Sequence, residues 1–210
     1  MKEHIESCSF RNTCKFSENG CRFVGSAALL QKHVDDCLYQ MIECPWGPCT
    51  KIIPMGEAVD HLEITHNAPE YKQNRSGVVE MWRWCIPGLI ELGKQQYCSP
   101  AMATFDDTTV LLNTYISSHS WEFWVTHLGG EKQAQKCEVK MIVSREGCPT
   151  SLTFQGKVYG ADGIKVRSGN TNNEKYKDGV LELSKSLMKK IGIMDEGKLK
   201  IHVTYELVRK

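Results

Sequence analysis

Five cysteines and three histidines stand in two consecutive sets of four with the spacing of tetrahedral metal ligands. The first set reads Cys14-x6-Cys21-x11-His33-x3-Cys37, the second Cys44-x4-Cys49-x11-His61-x4-His66. In each, two ligands come from a short knuckle and two from about a dozen residues later, the pattern by which thiolate sulfur and imidazole nitrogen close around Zn2+. Corresponding ligands recur at offsets of 30, 28, 28 and 29 residues: Cys14 to Cys44, Cys21 to Cys49, His33 to His61, Cys37 to His66. Eight residues and a repeat must agree for this to arise, which chance does not readily supply.

Ligands of these types bind as thiolate and neutral imidazole. The Cys3His set therefore carries a formal charge of −1 around the ion, and the Cys2His2 set none. Protein fills all four positions of each, so no place is open for water or substrate. The expected chemistry is structural: two Zn2+ ions that hold short segments folded. Cys8 is an alternative to Cys14 in the first set. Cys85, Cys98, Cys137 and Cys148 lie in apolar or loop contexts and read as small buried side chains or surface thiols. His119 and His127 could activate such a thiol, but both stand in strand-like runs, and no catalytic residue is expected.

The ligands need elements to place them. Gly20-Cys21-Arg22-Phe23 and Pro45-Trp46-Gly47-Pro48-Cys49 are turn-rich knuckles. After the first, Ser26 is positioned to cap a helix over 27–36, on which His33 and Cys37 share a face. Leu29 and Leu30, one turn earlier, can roof the site. A second helix is expected from about Gly56 to Thr65. His61 and His66 are five apart, so an undisturbed helix would turn them away from each other. The last turn must loosen or end near His66.

Residues 67–80 read as a linker. Beyond them come short alternating or apolar runs at 108–116, 121–128, 137–144, 151–159 and 199–208, separated by turn signals such as Gly129-Gly130 and Gly169-Asn170. Strands at this spacing suggest an antiparallel sandwich, and about 130 residues suffice to bury its core. One helix interrupts them, at 185–191, with Ser184 to cap it and Gly192 to close it.

Composition excludes several classes. The 210-residue chain has a net charge of +1, and no field over the whole molecule favours nucleic acid or membrane. Residues 1–66 hold six Lys/Arg against nine Asp/Glu. The finger helices carry Asp35, Asp36, Glu57, Asp60 and Glu63 where phosphate contact would want cations, and the spacing of the first Cys pair departs from that of DNA-reading fingers. A nucleic-acid-binding zinc protein is thus the weaker alternative. No apolar run approaches the roughly 18 residues of a membrane span, and Met1 to Glu6 is too polar for a signal peptide. Cysteines at ligand spacing with histidines argue for a reducing compartment, cytosol or nucleus, over a secreted disulfide framework.

At this point the chain resembles a known family. A Cys-x6-Cys-x11-His-x3-Cys set followed closely by a Cys/Cys/His/His set looks like the SIAH-type zinc finger of the seven-in-absentia E3 ubiquitin ligases. The likeness continues through Ile86-Pro87-Gly88-Leu89-Ile90-Glu91, Gly130-Glu131-Lys132-Gln133-Ala134, Ser151-Leu152-Thr153-Phe154 and Leu199-Lys200-Ile201-His202-Val203-Thr204, which are similar, in order, to segments of that family.

The resemblance implies an α+β chain: two small zinc-finger modules followed by a TRAF-like antiparallel β-sandwich. Residues 1–13 would be an N-terminal extension, 14–40 the first finger, 41–70 the second, and 71–210 the sandwich, which binds substrates or adaptors and dimerises. It further implies that partners bind as extended peptides added beside a sheet, against Leu89, Ile90, Glu91 and Leu92. The last two depart from the family, which has Asp and Trp there.

A RING, the part of such ligases that recruits the ubiquitin-conjugating enzyme, is built around Cys-x2-Cys pairs. No two cysteines here are three positions apart. The chain is expected to be inactive alone, either as the receptor half of a longer ligase or as a RING-less adaptor beginning at Met1 and pairing with a full-length relative.

Overall fold

The computed structural model describes residues 12–46, 48–85, 96–145, 151–161 and 178–210. It is mixed α and β: two Cys/His modules come first and a two-sheet sandwich follows.

In the first module β1 (Asn12–Thr13) pairs antiparallel with β2 (Val24–Gly25), and the Cys14 N–H donates to the Phe23 carbonyl at 3.0 Å. The turn between them ends on Gly20 at φ 105°, a left-handed conformation that a side chain would strain. Helix α1 (Ala27–Val34) follows. Ser26 precedes it in extended conformation, but its hydroxyl caps no N–H. The helix stops two residues short of the expected end. Asp36 N–H donates to His33 O and Cys37 N–H to Val34 O, so a tight turn rather than the helix face delivers Cys37. Leu30 is buried, whereas Leu29 is 55% exposed and roofs nothing.

The second module pairs β3 (Met41–Glu43) with β4 (Ile52–Pro54) and continues through a 3-10 turn into α2 (Ala58–His66). Asn67 then adopts the left-handed conformation. Its N–H bonds the Glu63 carbonyl and the Ala68 N–H the Leu62 carbonyl. The helix thus ends immediately after His66, close to the expected end, with both ligands on it.

One sheet of the sandwich runs β11 (Ser151–Lys157), β10 (Cys137–Ser144), β15 (Lys198–Arg209), β6 (Val78–Cys85), all antiparallel, with β14 (Ile193–Asp195) on the start of β15. The other runs β9 (Ser120–His127), β8 (Thr108–Ile116), β7 (Gln96–Phe105), β5 (Glu70–Lys72); β13 (Leu181–Ser184) and β12 (Tyr159–Gly160) both lie on the far side of β9. Two short additions, β12 on β9 and β5 on β7, are parallel. β5 and the start of β6 fall in the stretch that composition reads as a linker. Glu70-Tyr71-Lys72 is too short to show alternation, and it is a strand because the edge of β7 offers it partners.

Alternation puts Val79 and Met81, Val139 and Met141, Val203 and Tyr205 of the first sheet against Ala101, Ala103, Phe105, Leu112, Phe123 and Val125 of the second. Between the sheets a charged side chain completes the backbone bonding. In β7, Ser99 and Pro100 bulge opposite Asn113, and Pro100 has no N–H to donate. Arg83 reaches across from β6 and donates to Ser99 O (3.2 Å) and Leu112 O (2.9 Å). Helix α3 (Glu131–Ala134) fills the turn at Gly129-Gly130. Helix α4 (Lys185–Ile191) is capped by Ser184, whose Oγ accepts from Leu187 N–H at 3.4 Å.

Candidate metal centres

Each knuckle and its helix bring four ligand atoms together. Sγ of Cys14, Cys21 and Cys37 gather with a nitrogen of His33; Sγ of Cys44 and Cys49 gather with nitrogens of His61 and His66. Within each set all ligand atoms lie within 4.8 Å of one another. In the first, Cys14 Sγ and Cys37 Sγ are 3.9 Å apart, and Cys21 Sγ and His33 Nε2 3.2 Å. In the second, Cys44 Sγ to His66 Nε2 is 3.4 Å, Cys49 Sγ to His61 Nε2 3.7 Å and His61 Nε2 to His66 Nε2 3.2 Å. A tetrahedral ion with bonds of about 2.3 Å to sulfur and about 2.05 Å to nitrogen has edges of about 3.8 Å (S to S), 3.6 Å (S to N) and 3.3 Å (N to N). The residues present therefore fit a four-coordinate metal ion in each module. Cys14 holds its place in the first set; the alternative, Cys8, lies outside the described residues.

Supports behind the ligands are visible in the structure and were not singled out from the sequence. Phe23 stacks on His33 at 4.0 Å between centroids with an interplanar angle of 8°, and Trp46 stacks on His66 at 5.0 Å and 3°. Each is an aromatic two residues after a ligand cysteine, which is the signal that would have found it. Thr65 Oγ1 lies 3.3 Å from His61 Nδ1. With Nε2 turned to the cluster, Nδ1 carries the proton and donates to that hydroxyl, fixing the ring. Phe16 N–H and Trp46 N–H point at Cys14 Sγ (3.4 Å) and Cys44 Sγ (3.5 Å), donors suited to thiolates.

Burial, with the neighbouring Cys21 and Cys14 adding to it, pushes the Cys37 thiol up to about 12. Metal must displace that proton, so binding at this site releases protons. His66 is shifted the other way, mainly by burial and then by His61 and Lys51, which favours the neutral imidazole a metal requires.

The remaining described cysteines are built differently. Burial holds Cys85 up at about 12, and it raises Cys98 and Cys137 as well. A thiol held protonated is a poor nucleophile. A cavity of about 330 Å³ opens beside Cys137, Glu131 and Tyr159. The two lysines on it are already paired, Lys157 with Asp178 (2.9 Å) and Lys210 with Glu138 (3.0 Å).

One open edge of the sandwich lies at β6. Among the described residues β6 is hydrogen-bonded on one side only, to β15. Its outward side chains include Trp82 and Trp84, 46% and 47% exposed, whereas Trp121 and Trp124 are buried. Trp82 sits 4.9 Å from His202, and Lys198 Nζ lies 4.5 Å over the Trp84 ring. The expected peptide-binding residues Leu89, Ile90, Glu91 and Leu92 come shortly after β6 in the sequence and lie outside the described residues. No helix among the described residues is long and apolar enough to cross a membrane. No family model matches the chain, and no curated protein matches it.

Proposed function

We propose that this chain is the substrate-binding module of a ubiquitin ligase of the seven-in-absentia type, with two structural Zn2+ ions and a TRAF-like sandwich. The observation that carries the reading is the duplicated ligand set. A Cys3His and a Cys2His2 cluster, both closed, stand directly in front of a β-sandwich. Zinc suits such sets because it accepts thiolate and imidazole together in tetrahedral geometry. Bound there, it supplies no reaction; it replaces the core that modules this small cannot build. Cys14, Cys21, His33 and Cys37 hold one ion, and Cys44, Cys49, His61 and His66 the other.

The sandwich does the recognition. A strand hydrogen-bonded on one side only among the described residues, with alternate exposed tryptophans, suits an extended peptide, whose backbone extends the sheet while alternate side chains find apolar contacts. The edge of β6 provides this surface, and the resemblance adds Leu89, Ile90, Glu91 and Leu92 as peptide contacts. The chain works as a dimer in the cytosol or nucleus, and ubiquitin transfer comes from a RING that its ten cysteines cannot form. Holding a charged conjugating enzyme near a lysine is catalysis by proximity, so the receptor needs no chemical groups of its own.

The test is a peptide array probed with zinc-loaded chain. Extended segments should bind, and Trp82→Asp or Leu89→Asp should weaken them at least tenfold. Absence of any peptide binding, or polyubiquitin made by this chain with a conjugating enzyme alone, would refute the reading. A RING-less adaptor that pairs with a full-length ligase would use the same surfaces. It would bind peptides equally and, added to that ligase, lower substrate ubiquitination instead of raising it.

A further inference from the structure

The two metal centres are joined to the sandwich in different ways. The first module has a core of its own: Cys14, Cys21, Leu30 and Cys37, with Phe16 and Val34 against them. The second has none that is separate. Ile42, Ile53, Met55, Ala58, Leu62 and Ala68 form one continuous cluster with Met102 of β7 and Leu111 of β8. Met102 and Leu111 are register partners, and both point away from the interior of the sandwich, since Ala101, Ala103, Val110 and Leu112 beside them face inward. They are nevertheless only 2% and 1% exposed. What covers them is the second module, tied on by the Met102 N–H bond to Pro69 O (2.9 Å). The ligands His61 and His66 flank Leu62 on the helix that provides this cover.

We propose that the second metal centre is a clasp. Its ion keeps α2 folded over the outer face of the β7–β8 pair, and losing that ion uncovers Met102 and Leu111 while the sandwich interior stays closed. The first centre has no such reach: its ion folds the first module alone. The chain would thereby carry a metal-sensitive device, because chelation of the ion held by Cys44 and Cys49 turns a covered sheet face into an exposed apolar strip. This inference rests on the reading that the clusters hold metal.

The experiment uses the full chain loaded with Zn2+, its metal content measured, and a microsecond hydroxyl-radical pulse read by mass spectrometry. Wild type is compared with His61→Ala/His66→Ala and with His33→Ala. Wild type should hold two ions and each variant one. Oxidation of Met102 should rise at least tenfold in the double variant and stay at the wild-type level in His33→Ala. Met81 and Met141, buried between the sheets, should stay protected in all three. Stepwise chelation of the wild-type chain should release Met102 with the loss of the second-site ion. A Met102 that stays protected after that loss overturns the clasp. So does release of Met102 by the first-site variant, or oxidation of Met81 and Met141 together with it. A wild-type chain that takes up no metal would instead refute the metal reading itself.

Discussion

Arg83 gives the sharpest test of how the sandwich is held together. It is the one strongly polar side chain that β6 sends inward, and its guanidinium joins the two sheets by donating to Ser99 O (3.2 Å) and Leu112 O (2.9 Å). Ser99 belongs to the bulge where Pro100 offers no N–H, and Leu112, paired with Ala101, stands next to it. Replacing Arg83 with Met keeps most of the apolar stem and removes both donors. A hydrogen bond from a charged donor contributes about 1.5–3 kcal/mol when buried. One of these two is exposed and the other only partly buried, so about 2 kcal/mol is expected for the pair. For a chain of this size that lowers Tm by about 4–8 °C. Arg83→Lys keeps the charge but cannot span both carbonyls, and should lose about half as much. The assay is thermal and urea unfolding of zinc-loaded protein, followed by the fluorescence of buried Trp121 and Trp124. If Arg83→Met unfolded within about 0.5 kcal/mol of wild type, the carbonyls of the bulge would not depend on Arg83, and the account of the seam would be wrong.

Three further outcomes are expected. Trp46→Ala removes the ring stacked on His66 and should weaken metal at the second site by about tenfold in a chelator competition, leaving the first site unchanged. Gly130→Ala places a methyl group on the Asp35 carbonyl at the end of the first module. It should raise hydrogen exchange through residues 30–37 while the melting of the sandwich moves little; loss of Lys132, whose ion pair with Asp35 is half exposed, should cost less than about 1 kcal/mol. The Cys85 thiol is raised by burial to about 12 in the folded chain. Its contribution is fully present below the ordinary thiol value near 9 and is lost as pH rises from there through about 12. Stability should fall across that window, with a shallower slope in Cys85→Ala.

The first module owes its fold to few residues besides its ligands. A chain of this length forms helices only marginally in water, and α1 has eight residues and no side-chain cap. Its supports, Phe23 on His33 and Leu30 in a small cluster made mostly of ligand cysteines, pack on the metal ligands themselves. Such modules are expected to be metal-dependent. The sandwich is different, because its inward faces already close on each other without help.

What the sequence by itself determined is local. Ligand type and spacing are properties of a short segment, so both four-residue sets were legible, and so was a helix end near His66, which Asn67 provides. The alternating strand 137–144 and the apolar run 108–116, which is buried on both faces, were legible for the same reason. The rest was decided by contacts between distant segments. Glu70–Lys72 is a strand only because β7 leaves it an edge. Nothing local tells the tryptophans of the sandwich apart; only the sheet order buries Trp121 and Trp124 and leaves Trp82 and Trp84 outside. Met102 and Leu111 alternate like outward-facing residues and are buried because the second module lies over them. Local chemistry fixes what a residue can bond. Which surface it finds to bury against depends on segments far away in the chain, and that only the tertiary structure decides.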